Sequence, residues 1–340
     1  MKKVVFNIDV VSACNLHCPS CPMGNSKDVK NPTGLMSQEL LGNILDKASS
    51  ECEITFVGLF NWTEPLIHPR LADLVELTES YAPCHLSSNL NLSGVDYEAL
   101  LRRNPSRFRI SLSGYNQAIY SRTHGGGDIE IVKRNMAELS KAAERVGGRT
   151  QIEVLFHRYL GNTDDERLMK EYSEMLGFIF EPVWAFLMPI EKILQHLKDP
   201  SQLSLQDKQL IELLALPPDE KVMRVSRSRK VNHCKLLEDQ ITLNCRGVVQ
   251  LCCGLFDQRR YSICNYMDRT LDEIQIEKRK MSICRECMSC GIHNLALYDS
   301  PKYDRIAKEN VMNYYKDLIE VKRRSIFDRL KGRVRRIIGS

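Results

Sequence analysis

Three cysteines near the start of the chain are close enough in sequence to hold one inorganic cofactor. The segment CNLHCPSCP contains Cys14, Cys18 and Cys21 in the spacing Cys-x3-Cys-x2-Cys. Iron–sulfur cubanes are ordinarily held by four cysteine thiolates. Because only three cysteines lie together here, the spacing predicts a four-iron, four-sulfur ([4Fe-4S]) cluster whose fourth iron is free to bind another molecule.

A structural zinc site is the alternative for this loop. Zinc knuckles usually combine two Cys-x2-Cys or Cys/His halves around a tetrahedral ion. No second half follows Cys14 and Cys18, and His17 lies inside the loop, where it would strain a tetrahedron. We therefore favour the cluster and keep zinc as the competing interpretation.

Strands and helices must position this loop, and they alternate along the first half of the chain. Apolar, β-branched runs predict strands over residues 4–10, 53–59, 85–88, 107–113, 151–157 and 178–183. Helical periodicity predicts helices over residues 37–50, 70–81, 95–103, 129–145 and 164–176, with helix starts near Ser37 and Thr163. The alternation predicts an α/β fold with a parallel sheet of right-handed βαβ units. Chemistry in such folds lies at the C-terminal strand ends, where the cysteine loop follows the first strand.

The cysteine spacing resembles that of the radical S-adenosylmethionine (radical SAM) enzymes. In that family the free iron chelates the amino and carboxylate groups of SAM, and one electron from the cluster cleaves SAM to a 5′-deoxyadenosyl radical. The resemblance implies an open, partial (β/α)6 barrel, and six βα units are too few for a closed eightfold barrel. It also implies an electron donor of the flavodoxin or ferredoxin type.

Several polar strand ends resemble SAM-positioning segments of this family. The string LFNWTEPLIHP resembles the GGEP segment, with Glu64 and the following proline kept and NWT in place of the preceding residues. The resemblance gives Glu64 a contact with the SAM amino group and makes Ser87, Asn89 and Ser113 further candidates for positioning SAM. Their alternative roles are a helix cap for Glu64 and ordinary turns for the others.

A run of three glycines, Gly125–Gly127, precedes the helix that is predicted from residue 129. A glycine-rich loop at a helix start can cradle an anion, although this one matches no P-loop or dinucleotide fingerprint. A rim loop near the SAM site is equally compatible with the sequence. Arg122 and His124 flank it, and Arg122 is a candidate contact for the SAM carboxylate or a substrate anion.

A second group of cysteines lies between residues 231 and 293. Twelve residues separate Cys234 from Gly247 and four separate Gly247 from Cys252, which resembles the Cys-x(9–15)-Gly-x4-Cys signature of the Twitch and SPASM extensions of radical SAM enzymes. The later CRECMSC adds Cys284 and Cys287. The resemblance implies that Cys234, Cys252, Cys284 and Cys287 hold an auxiliary [4Fe-4S] cluster, which with four thiolates works in electron transfer.

One auxiliary cluster is expected, as in the Twitch arrangement. No cysteine follows Cys290, so the two-cluster SPASM pattern is incomplete. Cys290 could replace Cys284 or Cys287 as a ligand. The competing interpretation is a four-cysteine zinc ribbon.

Apart from Cys290, five cysteines fall outside both ligand sets. Some radical SAM epimerases finish by transferring a hydrogen atom from a free thiol, which makes Cys245 and Cys253 candidate catalytic residues. A spare buried thiol is the alternative for these two and for Cys264. Cys52 and Cys84 are expected to be small buried hydrophobic residues.

The composition is that of a globular protein. The 340 residues are 43% hydrophobic and 27% charged, with a net charge of +5. No run approaches the roughly 20 apolar residues that span a bilayer, and no signal-peptide cleavage site is evident. Thirteen cysteines without an export signal indicate a reducing, cytoplasmic compartment. We expect a radical SAM barrel over residues 1–187, a connector over 188–230, an auxiliary-cluster domain over 231–300 and a basic helical tail over 301–340.

The end of the tail predicts an amphipathic basic helix. Apolar residues recur at helical spacing in SIFDRLKGRVRRIIGS, and five arginines and lysines from Arg329 to Arg336 cover much of the remaining surface. Such a helix suits an anionic membrane surface, which would place the protein at the inner face of the membrane. A helix packed on the body with a basic outer face is the alternative. Nucleic acid is not expected, because the tail lacks interleaved aromatic residues.

These features together predict a radical SAM oxidoreductase or epimerase. Its radical would abstract hydrogen from a C–H bond of a sugar, aminocyclitol or glycan-related substrate. The cluster motif begins at residue 14, so we expect no N-terminal peptide-recognition domain, and a peptide-modifying maturase is the second possibility. A non-enzymatic zinc-binding protein is the alternative from another class.

Overall fold

The computed structural model describes residues 1–228, 233–297 and 300–338, with side chains up to residue 320. The strands of these ranges are β1 (Lys3–Ile8), β2 (Glu53–Gly58), β3 (Cys84–Ser88), β4 (Arg107–Leu112), β5 (Gln151–Arg158), β6 (Ile179–Trp184), β7 (Gln240–Leu243), β8 (Val248–Gln250) and β9 (Ser262–Asn265). Each of the six predicted strands is present, with ends that differ by one or two residues.

Helices cover much of the remaining chain. They are α1 (Pro22–Asn25), α2 (Gln38–Glu51), α3 (Leu71–Glu79), α4 (Tyr97–Leu101), α5 (Gln117–Tyr120), α6 (Ile129–Val146), α7 (Thr163–Met175), α8 (Ile190–Lys198), α9 (Leu205–Leu213), α10 (Glu220–Ser228), α11 (Lys235–Glu238), α12 (Gln258–Tyr261), α13 (Leu271–Lys280), α14 (Ser282–Ser289), α15 (Ile292–Ala296) and α16 (Pro301–Ile338). The predicted alternation of helices and strands is confirmed for the first half of the chain.

The strands form one mixed sheet in the order β6-β5-β4-β3-β2-β1-β7-β8-β9. Neighbours from β1 to β6 pair in parallel, as the βαβ pattern predicts. In β1 the side chains of Val4, Phe6 and Ile8 are fully buried, while the residues between them face the other side of the sheet. A mixed α/β fold with a parallel sheet is therefore confirmed, and the curvature expected of a partial barrel stays a prediction.

The two predicted helix starts differ in their chemistry. Ser37 caps α2, because its side-chain oxygen accepts a hydrogen bond from the Leu40 N–H at 3.1 Å. Thr163 is instead the first residue of α7, and the cap position belongs to Asn162. The side chain of Asn162 does not cap the helix, because its Oδ1 accepts from the Tyr159 N–H at 2.9 Å, while its NH2 group donates to the carbonyls of Ser113 and His157.

The second cysteine segment extends the main sheet instead of lying beside it. β7 pairs in parallel with β1, and β8 and β9 add antiparallel strands. As a result Ile241, Leu243 and Val249 share one hydrophobic core with Phe6 and Ile8. We call this the first core.

A second core lies beneath α8, α9, α10, α15 and α16. Trp184, Leu216, Met223, Leu251 and Tyr303 are among its buried residues. Residues 231–300 thus contribute to both cores, and the predicted domain boundaries stay a prediction.

The first part of α16 packs on the second core. Tyr303, Ile306 and Ala307 are buried there, whereas Met312 and Ile319 are more than half exposed. The side chains of the predicted basic amphipathic segment lie outside the described residues. Within the described part of the chain no helix is both long and apolar enough to cross a membrane.

The shared first core predicts that residues 1–230 do not fold alone. Without β7 the edge of β1 loses its hydrogen-bonding partner, and the core loses Ile241, Leu243 and Val249. We expect this fragment to aggregate and to show no cooperative thermal unfolding by circular dichroism. A fragment of residues 1–320 keeps both cores and is the control. Cooperative unfolding of the shorter fragment would establish the barrel as an autonomous domain.

Candidate functional site

The loop that carries the first three cysteines lies at the C-terminal end of β1. Neighbouring loops hold it through backbone hydrogen bonds. The Glu64 N–H donates to the Ala13 carbonyl at 3.0 Å, and the His17 N–H donates to the Gly125 carbonyl at 2.9 Å. The Asn15 side chain donates to the Asn91 carbonyl at 2.8 Å. The loops after β2, after β3 and before α6 therefore meet at the cysteine loop, as expected for the C-terminal edge of a parallel sheet.

The three thiols of this loop are partly buried and close enough to affect one another's charge. Burial raises the pKa of Cys14 to about 11 and that of Cys18 to about 12, and it raises the pKa of Cys21 further. For Cys18 and Cys21 the charge of the neighbouring thiols adds to the effect of burial. Thiols in such a setting are stable as thiolates only beside a cation, and an iron–sulfur cluster binds them in that form. The donor set fits the predicted cluster.

Several N–H groups point at these sulfurs. The Leu16 N–H donates to Cys14 Sγ at 3.5 Å, and the Asn89 side-chain amide donates to the same sulfur at 3.6 Å. The Gly125 N–H donates to the sulfur of Cys18 and lowers its pKa. Hydrogen bonds to cluster sulfurs help to set a cluster's reduction potential, so these donors belong to the site.

The three glycines before α6 pack directly against the cysteine loop. A Cβ atom on Gly125 would lie 2.6 Å from the His17 carbonyl oxygen, and one on Gly126 would lie 2.5 Å from the His17 ring. A Cβ on Gly127 would lie 2.8 Å from the Tyr120 ring. Gly125 is required because backbone approaches backbone here, whereas Gly126 and Gly127 leave room for the rings of His17 and Tyr120. The glycine run thus lies against the three-cysteine loop, and both sequence interpretations of it, an anion cradle and a rim loop near the SAM site, stay predictions.

Glu64 is buried between the loops after β2 and β3. One carboxylate oxygen accepts from the Leu66 N–H at 3.1 Å and the other from the Asn89 N–H at 2.8 Å. Glu64 therefore does cap the short turn Pro65–Ile67 and also ties that turn to the loop after β3. Burial raises the pKa of Glu64 to about 7. Such a carboxylate gains from an incoming hydrogen-bond donor or cation.

Asp9 is a site residue that the sequence analysis missed. Its Oδ1 accepts hydrogen bonds from the N–H groups of Asn61, Trp62 and Thr63 and, at 2.6 Å, from the Thr63 hydroxyl. Burial raises its pKa to about 6. These hydrogen bonds hold the NWT segment in place, although this segment lacks the glycines of the GGEP motif. Its sequence signal was an acidic residue directly after an apolar strand.

The remaining SAM-positioning candidates lie in different surroundings. The Ser113 hydroxyl is buried and bonds to the Thr123 hydroxyl and, at 3.0 Å, to His124 Nδ1. Burial lowers the pKa of His124 to about 3, so this ring is neutral. Ser87 is half-buried on β3, and Arg122 is half-buried just before the glycine run. The structure thus joins Glu64 and Asn89 to the cysteine loop and directs Ser113 towards His124.

The second group of cysteines surrounds a cavity of about 420 Å³. All four predicted ligands, Cys234, Cys252, Cys284 and Cys287, line it. The other lining residues are mostly apolar, among them Ile190, Leu237 and Leu255. Cys290 is not among the lining residues in the described part of the chain. A cavity closed by four thiols and apolar walls fits a metal–sulfur group.

The thiols that line this cavity, like those of the first loop, would be stable as thiolates only beside a cation. Burial raises the pKa of Cys284 to about 12 and that of Cys287 further, with the charges of Cys252 and Cys234 adding to the effect. The S–H of Cys253 donates to Cys252 and lowers its pKa, while the same contact raises the pKa of Cys253. Cys253 therefore lies beside a predicted ligand.

Within the described ranges no three His, Cys, Asp or Glu side chains converge on a point where one metal ion would sit. The ligands of a cubane do not converge on one ion, because each thiolate binds its own iron.

A second cavity, of about 320 Å³, lies beside the first cysteine loop. Its lining residues are Asp9, Val11, Ser12, Met23, Asn31, Pro32, Trp62, Thr63, Asn244, Cys245, Phe256 and Gln258. Cys245 therefore faces a cavity with a polar wall, whereas Cys253 lies next to Cys252. Cys52 and Cys84 are buried, as predicted.

Among protein-family models and curated proteins, none matches this chain. Solved structures do match. The structure described as native anSMEcpe with bound AdoMet is 16% identical, covers 94% of this chain and 98% of its own, and gives a TM-score of 0.57. Streptococcus suis SuiB bound to S-adenosylmethionine is 10% identical, covers 80% of this chain and 65% of its own, and gives a TM-score of 0.55.

SuiB bound to the precursor peptide SuiA is also 10% identical, with 81% and 64% coverage and a TM-score of 0.55. The chain thus spans slightly less than two thirds of SuiB. These solved proteins are radical SAM enzymes. The likeness shows that the chain has the fold of radical SAM enzymes.

Proposed function

We propose that this protein is a radical SAM oxidoreductase or epimerase with one auxiliary [4Fe-4S] cluster. One observation carries the proposal. Two separate sets of buried thiols, one of three and one of four, lie in a fold shared with AdoMet-bound enzymes. A three-thiol set suits a cluster with an open iron, and a four-thiol set suits an electron-transfer cluster.

Cys14, Cys18 and Cys21 would hold the first cluster, and Cys234, Cys252, Cys284 and Cys287 the auxiliary one. When bound, the first cluster would supply the electron that cleaves SAM into methionine and a 5′-deoxyadenosyl radical, which takes a hydrogen atom from the substrate. Glu64 would accept a hydrogen bond from the SAM amino group, and Asn89 would hold both Glu64 and Cys14 in position.

The cavity beside the cysteine loop is the proposed substrate site. It adjoins the NWT segment before Glu64 and is lined by both polar and apolar side chains, as small-molecule sites are. Carboxylate, hydroxyl and amide groups of Asp9, Ser12, Asn31 and Gln258 line one part of it. Such groups bind hydroxyl and amino substituents. These features support a sugar, an aminocyclitol or a related substrate.

The substrate radical then has two outcomes. In oxidation of an alcohol carbon it would lose one proton to solvent and one electron, for which the auxiliary cluster, when held by its four cysteines, would supply the acceptor, and a carbonyl group would result. In epimerisation it would take a hydrogen atom from the Cys245 thiol on the cavity wall. One electron from the flavodoxin- or ferredoxin-type donor and one proton would then restore the thiol. Cys245 is the better-placed hydrogen donor, because Cys253 lies beside the cluster ligand Cys252.

A peptide substrate is the second candidate. It is favoured by the likeness to SuiB, which was solved with its precursor peptide. Tight binding of a ribosomal peptide without a separate recognition protein would decide for it. An electron donor of the flavodoxin or ferredoxin type, a cytoplasmic location and membrane contact through the tail complete the proposal.

The first prediction concerns metal content. After anaerobic reconstitution, a variant with Cys14, Cys18 and Cys21 all changed to Ala should keep about four irons and as many sulfides per chain, as one cubane requires. Iron and acid-labile sulfide assays measure this. A matched variant with Cys234 and Cys284 changed to Ala should keep only the first cluster. A colourless, zinc-containing protein without SAM cleavage would instead identify the zinc-binding alternative.

The second prediction concerns Glu64. In the reconstituted enzyme, Glu64→Gln should weaken SAM binding by roughly 10- to 100-fold, because a hydrogen bond to a charged acceptor is lost. For the parent protein, SAM affinity should fall as the pH drops below about 7, where the buried carboxyl takes up a proton. The variant should lack this pH dependence.

Isothermal titration across pH 6 to 8, at roughly half-unit steps, measures both effects. Glu191→Gln, which alters another buried carboxylate, is the control and should bind SAM normally. If Glu64→Gln binds SAM as tightly as the parent, the role of Glu64 is limited to capping the turn.

The third prediction concerns Cys245. With aminocyclitols and amino sugars as test substrates in deuterated water, epimerisation places deuterium on one carbon of the product. Cys245→Ala should abolish that incorporation, because the thiol facing the cavity is removed. Cys264→Ala, on the outlying strand β9, should leave it intact, and mass spectrometry reads the label. If Cys253→Ala loses the label and Cys245→Ala keeps it, Cys253 is the hydrogen donor and Cys245 is not.

A further inference from the structure

Lys278 on α13 is a buried lysine with an unusual set of partners. Only 1% of its surface is exposed. Its Nζ donates to the carbonyl oxygens of Leu237 and Gln240, each at 2.8 Å. In the described part of the chain its ammonium has no carboxylate partner, and the negative groups that act on it are cysteines.

A second lysine, largely but not fully buried, is paired with a carboxylate. Lys192 on α8 has Asp207 at 2.5 Å and also donates to the Asn25 carbonyl at 2.9 Å. An ammonium taken out of water without an anion is strongly destabilising, and proteins pair such groups. Carbonyl dipoles compensate Lys278 only in part, so its burial calls for a negative charge.

The nearest source of that charge is the four-cysteine cavity. Leu237, which accepts a hydrogen bond from Lys278, is also a lining residue of the cavity. The charges of Cys252, Cys284 and Cys253 raise the pKa of Lys278, while burial lowers it overall to about 8. Two of these three cysteines are proposed ligands of the auxiliary cluster.

We propose that Lys278 balances the charge of the auxiliary cluster and makes the cluster a better electron acceptor. The inference rests on the proposed function, since it requires a cluster in this cavity. A cubane with four thiolates is negatively charged and becomes more so when it gains an electron. Net charge is one of the determinants of a cluster's potential. A fixed ammonium nearby therefore favours the reduced state, which is the state formed when the substrate radical gives up its electron.

A purely structural role makes different predictions. If Lys278 only ties the Leu237 and Gln240 carbonyls to α13, its loss destabilises the protein with or without the cluster and leaves the cluster potential unchanged. If it balances charge, its loss lowers the potential. Its loss also stabilises the metal-free protein, in which no cluster balances the charge of the buried ammonium.

The test uses the full chain with Cys14, Cys18 and Cys21 changed to Ala, so that only the auxiliary cluster is present. Lys278→Met removes the charge at similar length, Lys278→Gln keeps an N–H donor without the charge, and Lys278→Arg keeps the charge. Lys192→Met is the control for loss of a buried lysine elsewhere. The measurements are a reduction potential from a titration followed by electron paramagnetic resonance, and the thermal midpoint of the metal-free protein.

We expect a more negative potential in the Met and Gln variants, a potential near the parent value in the Arg variant, and a higher metal-free midpoint in the Met variant. Cluster assembly in the Arg variant but in neither uncharged variant also supports charge balance. An unchanged potential in cluster-containing Met and Gln variants overturns the inference while the proposed function stands. If the parent itself assembles no cluster, the auxiliary-cluster proposal fails and the inference fails with it.

Discussion

The parallel pairing of β7 with β1 is the constraint on which the proposed site depends. The register from Val5 opposite Gln240 to Ile8 opposite Leu243 brings the C-terminal ends of both strands to one edge of the sheet. The first cysteine loop follows β1, and Cys245 follows β7 shortly after Leu243. Residues more than 200 positions apart in sequence therefore line the same cavity.

The length of the β7–β8 hairpin also sets the distance between this cavity and the second cysteine group. Cys245 lies at the turn end of the hairpin, whereas Cys234 precedes β7 and Cys252 follows β8 at the open end. With only three or four residues in each strand, the two ends are on the order of 10 Å apart. A substrate held at Cys245 would thus lie within a short distance of the auxiliary thiols. This geometry suits one-electron exchange between them.

The parts of the site that depend on local spacing could be predicted from the sequence. The three-cysteine loop, the six strands and the Cys-x2-Cys pair of α14 are encoded in short segments. The site residues that could not be predicted depend on contacts between distant segments. Gly125 and Gly126 are required by the approach of His17, and Lys278 occurs in the string IQIEKRK, which looks like a solvated helix surface. The role of Asp9 depends on the NWT segment, whose N–H groups reach its carboxylate only in the folded chain.

Burial has the same effect on most of the ionisable groups of the site. Asp9, Glu64 and both sets of thiols have pKa values raised mainly by burial, with Cys252 as an exception because of its hydrogen bond from Cys253. Burying such groups costs stability, which a fold tolerates where a bound partner restores the balance. The iron ions of the proposed clusters would do this for the thiols, and the SAM amino group would do it for Glu64.

The same reasoning applies to Lys278 with the opposite sign, because it is a buried cation with no carboxylate partner among the described residues. Because Leu237 both accepts its hydrogen bond and lines the four-cysteine cavity, a negatively charged cluster in that cavity would supply the missing anion. In the proposed cluster each of the four thiolates around the cavity would bind its own iron, and the net negative charge of the cluster would face the ammonium of Lys278.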